Sequence, residues 1–256
     1  MEKDHLKGEV KNYWEQEPCG SGVAQSLKYT KEYFDEIEEH RYRVEPFIHR
    51  FAQFTRYRGK KVLEVGVGAG TDHLQFARAG ALLSGIDLTE AAVTMVTKRL
   101  ALEGLTSDLR RADAEHLPFE DGSFDLVYSW GVIHHSHNTN AIIDEIYRVL
   151  VPQGVAKIMV YHKNSMSYYV HSGLIEGILK GKLLKMSLYE INKRHIDGAF
   201  AAHYTSREAK RMFVRFSEVS TCAFDASKEA IIPFFGKYAR RAAPKLMSRV
   251  DAWMLR

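Results

Sequence analysis

The chain has 256 residues, 45% hydrophobic and 27% charged, with a formal net charge of +4. That length supports one large core or two small ones, and 11% aromatic residues with only six prolines exclude a disordered chain. The mild positive balance admits an acidic small-molecule partner, but it falls short of the concentrated Lys and Arg of a dedicated nucleic-acid binder, so no DNA partner is expected. Cys19 and Cys222 stand far apart and lack metal-ligand spacing, so neither a disulfide framework nor a metal is expected. The start, MEKDHLKGEV, has no apolar h-region, and no stretch approaches the ~18 apolar residues of a membrane span. The expectation is a soluble, cytoplasmic chain.

In chain order, residues 30–56 place apolar or aromatic side chains at Tyr33, Phe34, Ile37, Tyr42, Val44, Phe47, Ile48, Phe51 and Phe54. This spacing predicts two amphipathic helices meeting near Pro46 and lying against the main domain. From Lys60 the period changes. KKVLEVG is a short β-branched and apolar run ending in glycine, followed by a helical pattern from Thr71 to Arg78. Next come strands at 82–87, 108–113, 124–130 and 155–162, with helices over 90–102 and 138–150. Five strands alternating with helices predict a doubly wound, mostly parallel α/β sheet covered on both faces. After His162 the alternation lapses, and residues 165–195 read as an amphipathic helical insertion carrying Lys180, Lys182 and Lys185. A helix over 206–215 and a strand over 218–224 follow. A basic run, Lys237, Arg240, Arg241, Lys245 and Arg249, recurs every three to four residues near the C-terminus. It fits a solvated helix face, an anionic membrane surface or RNA phosphates.

The chemistry concentrates after the first strand. Gly66, Gly68 and Gly70 alternate between strand and helix, which lets a ligand approach the backbone at the carboxyl edge of the sheet, or simply makes a tight turn. The spacing is GxGxG, with Thr71 where a dinucleotide fingerprint needs glycine, and this disfavours a nicotinamide cofactor. Asp87, in Gly85-Ile86-Asp87-Leu88, ends the second strand, where a carboxylate can accept two ribose hydroxyls or cap the next helix; Thr89 serves equally as a cap. Asp113-Ala114-Glu115 offers carboxylates to an adenine amino group, or to solvent. Glu64 is buried by pattern and requires a donor, for which a bound ligand's amino group or the loop N–H groups are candidates.

Together these residues resemble the class I S-adenosylmethionine-dependent methyltransferases. The resemblance spans about residues 55–162. It rests on ExGxGxG at Glu64–Gly70, the acid at Asp87, Ala112-Asp113-Ala114-Glu115-His116-Leu117-Pro118-Phe119, Phe124-Asp125-Leu126-Val127-Tyr128-Ser129, His134-His135, and a helix ending Glu145-Ile146-Tyr147-Arg148-Val149-Leu150 before Pro152-Gln153-Gly154. The usual turn is Pro-Gly-Gly; Gln153 departs from it, and Gly154 is expected to keep the turn. The resemblance implies a seven-stranded sheet with one reversed strand, the last supplied near residues 250–255. It also implies a single domain over 1–256: a helical lid at 1–55, a cofactor core at 56–162, an acceptor-side insertion at 163–205 and the rest of the sheet at 206–256. The implied cofactor is S-adenosylmethionine.

Carried over by position, Glu64, Gly66, Gly68 and Gly70 would hold its methionine portion, Asp87 with Leu88 the ribose, and Asp113, Ala114 and Glu115 the adenine. Ser129 and Trp130 would flank it, Thr71 and Asp72 would meet its carboxylate at a helix N-terminus, and Tyr13 and Trp14 would close over it. The implied reaction is in-line transfer to oxygen, nitrogen or carbon of a small molecule, mainly by alignment and exclusion of water. If the acceptor must lose a proton, His135, His162 and His203 are candidate bases, with Tyr161 beside them. His134 is a further candidate, for which the resemblance implies a structural or cofactor-side role. Tyr29, Tyr33, Tyr42, Tyr168, Tyr169 and Tyr189 would line a pocket for an aromatic or amphipathic acceptor, or simply join the core. Two other functions stay open at this level. For an RNA or protein methyltransferase, Ser129-Trp130-Gly131-Val132 standing where an Asn-Pro-Pro-Tyr type motif would be disfavours amino-group methylation of nucleobases and leaves other targets open. A noncatalytic cofactor-binding scaffold is disfavoured by the intact glycines and acids.

Overall fold

Lys61–Val65 (β1) is buried at every position after the first, which marks a strand covered on both faces. A computed structural model describes residues 2–163, 167–195, 200–224 and 252–255. In it β1 lies at the centre of a parallel sheet, between Leu82–Asp87 (β2) and Phe124–Trp130 (β4). Asp108–Arg111 (β3) flanks β2, and Leu150–Val160 (β5) flanks β4. The chain therefore steps outward from β1 first to one side and then to the other. This leaves a crevice at the carboxyl ends of β1 and β4, the usual ligand position in open α/β sheets.

Neighbouring strand residues alternate between two cores. Val62, Leu126 and Tyr128 pack on one face with Phe51, Phe54 and Phe76, while Leu63, Val127 and Ile158 pack on the other with Ile142, Ile146 and Val149. With two further strands at the β5 edge the sheet has seven strands, one of them reversed. The four-residue segments Thr221–Phe224 (β6) and Ala252–Leu255 (β7) are added at the β5 edge, β7 running antiparallel to both β5 and β6.

The helices are Glu2–Gln16 (α1), Lys31–Val44 (α2), Ile48–Ala52 (α3), Thr71–Arg78 (α4), Glu90–Ala101 (α5), Thr139–Val149 (α6), Leu188–His195 (α7) and Ser206–Met212 (α8). α2 and α3 meet at Pro46, and the insertion is helical, with a wide π-type helix over Ser167–Leu179 preceding α7. The basic run Lys237–Arg249 lies outside the described residues.

Two buried cations join the outer helices to the sheet. Lys157 on β5 donates to the carbonyls of Phe51 (2.7 Å) and Ala52 (3.0 Å) at the C-terminus of α3, where carbonyls lack helical partners. Arg99 on α5 donates to the Ala69 carbonyl and Thr71 Oγ1, both at 2.9 Å, and to Glu38 on α2 at 3.1 Å.

β5 starts five residues earlier than its apolar run predicts, because Leu150 already pairs with Phe124 and a register shift then separates it from the Leu126–Val155 pair. At that irregularity Gln153 takes φ 67, and Gly154 does not appear among the positive-φ residues. Gly154 serves close approach instead, since a Cβ there would lie 2.9 Å from the Val151 carbonyl oxygen. The expectation that Gly154 carries the turn is corrected: Gln153 bears the left-handed conformation itself.

Candidate functional site

After β1 the chain turns through Gly66, Gly68 and Gly70, with φ of 82, 51 and 73. The N–H groups of Gly66 and Val67 donate to the Ile86 carbonyl at 2.8 and 3.2 Å, pinning the turn to β2. A Cβ on Gly66 would sit 2.3 Å from Val132 Cγ2, so glycine here lets the loop after β4 close against the turn. Asp87 joins the pieces. Its Oδ2 accepts the Gly68 N–H (3.1 Å), and its Oδ1 accepts the Thr89 N–H (3.0 Å) and hydroxyl (2.7 Å). Thr89 caps α5 by accepting the Ala92 N–H, so Asp87 orients the cap rather than being it. Burial pushes the Asp87 carboxyl up, and the bonds from Thr89 and Gly68 oppose that shift.

A cleft of about 920 Å³, measured out to its solvent mouth, opens above these groups. Gly66 and Gly68 form one wall, Asp87 and Leu88 the floor, Asp113, Ala114 and Glu115 the far end, and Val132 with His135 the side toward β4. The roof is α1, which presents Lys7, Val10, Lys11 and Trp14. Polar anchors hold it there. Lys7 Nζ reaches Asp113 Oδ2 (2.6 Å) and Glu115 Oε2 (2.8 Å), and Glu15 accepts the N–H groups of Glu90 (3.2 Å) and Ala91 (2.9 Å) at the start of α5. Trp14 meets the His135 ring edge-on at 5.7 Å.

Of the residues singled out from sequence, the cleft gathers Trp14, Gly66, Gly68, Asp87, Leu88, Asp113, Ala114, Glu115 and His135. The others lie off its walls. Glu64 finds its partner inside the protein: its Oε2 is 2.9 Å from His73 Nδ1. Ser107 gives its hydroxyl hydrogen to the Leu83 carbonyl, so its Oγ accepts from His73 Nε2 (2.9 Å), which leaves Nδ1 to accept from a protonated Glu64. Burial drives both groups the same way, raising Glu64 well above the usual carboxylate range and lowering His73 to about 3, so the pair is held neutral. Gly70 packs against Val96, to which a Cβ would come within 2.7 Å. Thr71 is engaged by Arg99, and Asp72 accepts the hydroxyls of Tyr128 (2.8 Å) and Tyr42 (3.0 Å), joining α4 to β4 and α2. Ser129 donates to the Val65 carbonyl at 3.0 Å. Trp130 points into the core, stacked on Phe47 with Nε1 donating to Glu45. Tyr13 is exposed beside Trp14.

The proton-transfer candidates divide in the same way. Tyr161 lies between His134 (4.0 Å between ring centroids) and His203 (5.3 Å), and His134 lies 4.4 Å from His135, so the four rings form one run of tilted contacts. Only His135 of these lines the cleft. His135 Nδ1 is 2.7 Å from the Phe200 carbonyl, which only accepts; the hydrogen therefore sits on Nδ1 and Nε2 is the basic nitrogen of the neutral ring. Burial pushes His134 well down and His203 down to about 4. His162 is buried and forms an isolated bridge with Tyr204. Among the described residues, the tyrosines expected to line an acceptor pocket do not gather. Tyr33 is core, Tyr29 packs on Tyr33 and Phe34, Tyr42 holds Asp72, and Tyr169 and Tyr189 are exposed.

Comparison with known proteins bears on the same segment. Residues 63–158 match the model of a methyltransferase domain family. The phthiotriol/phenolphthiotriol dimycocerosates methyltransferase 1 of Mycobacterium ulcerans is 35% identical over 162 residues, covering 62% of this chain and 57% of that protein. Residues 63–158 therefore carry a methyltransferase domain. The ubiquinone biosynthesis O-methyltransferase of Psychrobacter cryohalolentis is 33% identical over 116 residues, covering 43% of this chain and 44% of that protein. The chain thus spans roughly half the length of these relatives over the matched parts. At the level of fold, the S-adenosylmethionine-dependent methyltransferase of Mesorhizobium loti superposes with a TM-score of 0.52 at 20% identity, covering 78% of this chain and 90% of that one.

Sequence reasoning missed several groups around the domain's cleft: Lys7, Glu15, Cys19, Val132 and, behind it, His73. For α1 a signal existed. Lys7, Val10, Lys11 and Trp14 recur at three and four residues, the stripe of a helix lying on a surface.

Proposed function

We propose that this chain transfers the methyl group of S-adenosylmethionine to a hydroxyl of a small lipophilic acceptor. The observation that carries this reading is the single cleft in which the glycine turn, Asp87 and the Asp113–Glu115 carboxylates converge beneath α1 with His135 on the wall. The lipophilic acceptor is supported by the relatives, one named for phthiotriol/phenolphthiotriol dimycocerosates and one an O-methyltransferase of ubiquinone biosynthesis.

The residues present fit the cofactor. Gly66 and Gly68 leave the turn open where a side chain would stand, Asp87 offers carboxylate lone pairs to the ribose hydroxyls, and Asp113 and Glu115 offer acceptors to an amino group. Trp14 and Val10 exclude water from above. Bound there, the cofactor supplies a methyl group already activated by its positively charged sulfur. The protein then has to hold the acceptor in line and receive one proton. His135 Nε2 is the atom assigned to that proton, with Nδ1–H fixed on the Phe200 carbonyl so that the ring presents one tautomer. The apolar wall at Val132 and Ile142 suits the hydrocarbon part of such an acceptor.

Isothermal titration with S-adenosylmethionine, S-adenosylhomocysteine and NAD tests the cofactor part. The two adenosyl ligands should bind and NAD should not. Asp87→Ala should weaken adenosyl binding about tenfold or more, equivalent to ~1.4 kcal/mol. Absence of binding to folded protein would overturn the reading. Methyl transfer to quinol or long-chain alcohol acceptors, abolished in His135→Ala but with adenosyl binding retained, tests the proton role.

A further inference from the structure

The insertion after β5 carries a surface that methyl transfer does not use. From Leu174 to Met186 the sequence reads LIEGILKGKLLKM. The segment folds on itself: a Cβ on Gly177 would lie 2.9 Å from Leu183 Cδ1, and Glu176, buried, pairs with both Lys180 and Lys182. With its inward positions taken by Ser172, Glu176 and Gly177, the segment turns its large apolar side chains outward. Ile178 is 64% exposed, Leu179 72% and Leu184 89%, with Leu174 and Leu183 also exposed. Residues four to five apart share a face of the wide helix, which aligns Leu174 with Ile178. Single exposed leucines are ordinary, but five within eleven residues form a patch that calls for an occupant.

We infer that this segment docks on the surface of an anionic lipid bilayer. The choice of occupant follows from charge. Lys180, Lys182 and Lys185 against Glu176 leave the segment at +2, and the lysines alternate with the apolar side chains instead of standing on a separate rim. Lys180 and Lys182 more than offset the charge of Glu176, and the stem of exposed Lys185 can lie along buried hydrocarbon while its ammonium group reaches a lipid phosphate, so one face satisfies both groups at the headgroup boundary. A protein interface core is depleted of lysine and gives this interleaving no such outlet. No helix among the described residues is long and apolar enough to cross a membrane, so the docking is interfacial. The inference goes beyond the methyl-transfer reading and holds whether or not the acceptor is lipophilic.

The full chain is tested by co-sedimentation with phosphatidylcholine vesicles with and without phosphatidylglycerol, across a salt series. Wild type should bind the phosphatidylglycerol vesicles, less strongly at high salt. The triple variant Ile178→Asp, Leu179→Asp, Leu184→Asp should lose about tenfold or more in partitioning, and Lys185→Gln a smaller amount. Circular dichroism and S-adenosylhomocysteine affinity of the triple variant establish that its fold and cleft persist. Equal binding by wild type and triple variant, or no wild-type binding to anionic vesicles, would overturn the inference. So would a wild-type dimer that the triple variant converts to monomer without any vesicle effect, which would make the patch a contact between copies.

Discussion

Gln153 occupies the left-handed region at φ 67, where Cβ crowds the following carbonyl and an ordinary residue loses ~1–2 kcal/mol. Its place in Pro152-Gln153-Gly154 explains the choice: the chain leaves α6 already extended at Leu150 and must kink once before β5 pairs again with β4 at Val155. Glycine at 153 would remove the clash while adding its own unfolded-state entropy, so Gln153→Gly should stabilise by about 0.5–1 kcal/mol. A urea midpoint measures this, with Gln153→Ala as the control that keeps the Cβ. If Gly and Ala behave alike, the left-handed backbone is not what limits this turn. The same scale separates Glu64 from Asp87. Both are acids expected to meet the cofactor, but His73 neutralises the first inside the core while the second lies on the floor of the cleft.

At the scale of elements, α1 is held over the cleft by its polar groups as much as by its apolar face. Lys7 ties it to the loop after β3 and Glu15 to the N-terminus of α5, where unpaired N–H groups favour a carboxylate. Replacing both, as Lys7→Met with Glu15→Gln, should loosen the helix without unfolding the sheet. Amide hydrogen exchange should speed up over Glu2–Gln16 and stay unchanged in β1 and β4. Dissociation of S-adenosylhomocysteine, followed by stopped flow, should accelerate by about two- to fivefold, the modest effect expected when part-exposed charge anchors are cut. Slower dissociation instead would mean that Lys7 competes with the cofactor for Asp113 and Glu115, and that α1 gates the cleft by that competition.

For the molecule as a whole, the parallel sheet and its helices were legible because each strand is a short apolar run and each helix an alternation with a 3.6-residue period, both local signals. The glycine turn and the acids at 87 and 113–115 were legible by the same local logic. What escaped were pairings between distant residues, such as Lys7 with Asp113, Lys157 with the end of α3 and His73 with Glu64, because charge placement in three dimensions has no period. The buried histidines in that hidden layer govern the response to acid. Burial holds His73 at about 3 and His203 at about 4, and lowers His134 well below 6.5. Each is a base whose folded pKa is depressed, so below pH 6.5 the unfolded chain takes up a proton that the folded chain refuses. The stability they contribute is complete above pH 6.5 and is lost as the pH falls toward their folded values. Glu64 and Asp87, raised by burial, act in the opposite sense, keeping protons that the unfolded chain has released. The contribution of one histidine is isolated by difference. Between pH 6 and about 4.5, the slope of unfolding free energy against pH in His203→Gln should be smaller than in wild type by roughly one proton, ~1.4 kcal/mol per pH unit. Urea titrations at stepped pH measure it; equal slopes in the two proteins would mean that His203 takes up its proton in the folded state and that its burial does not hold it neutral.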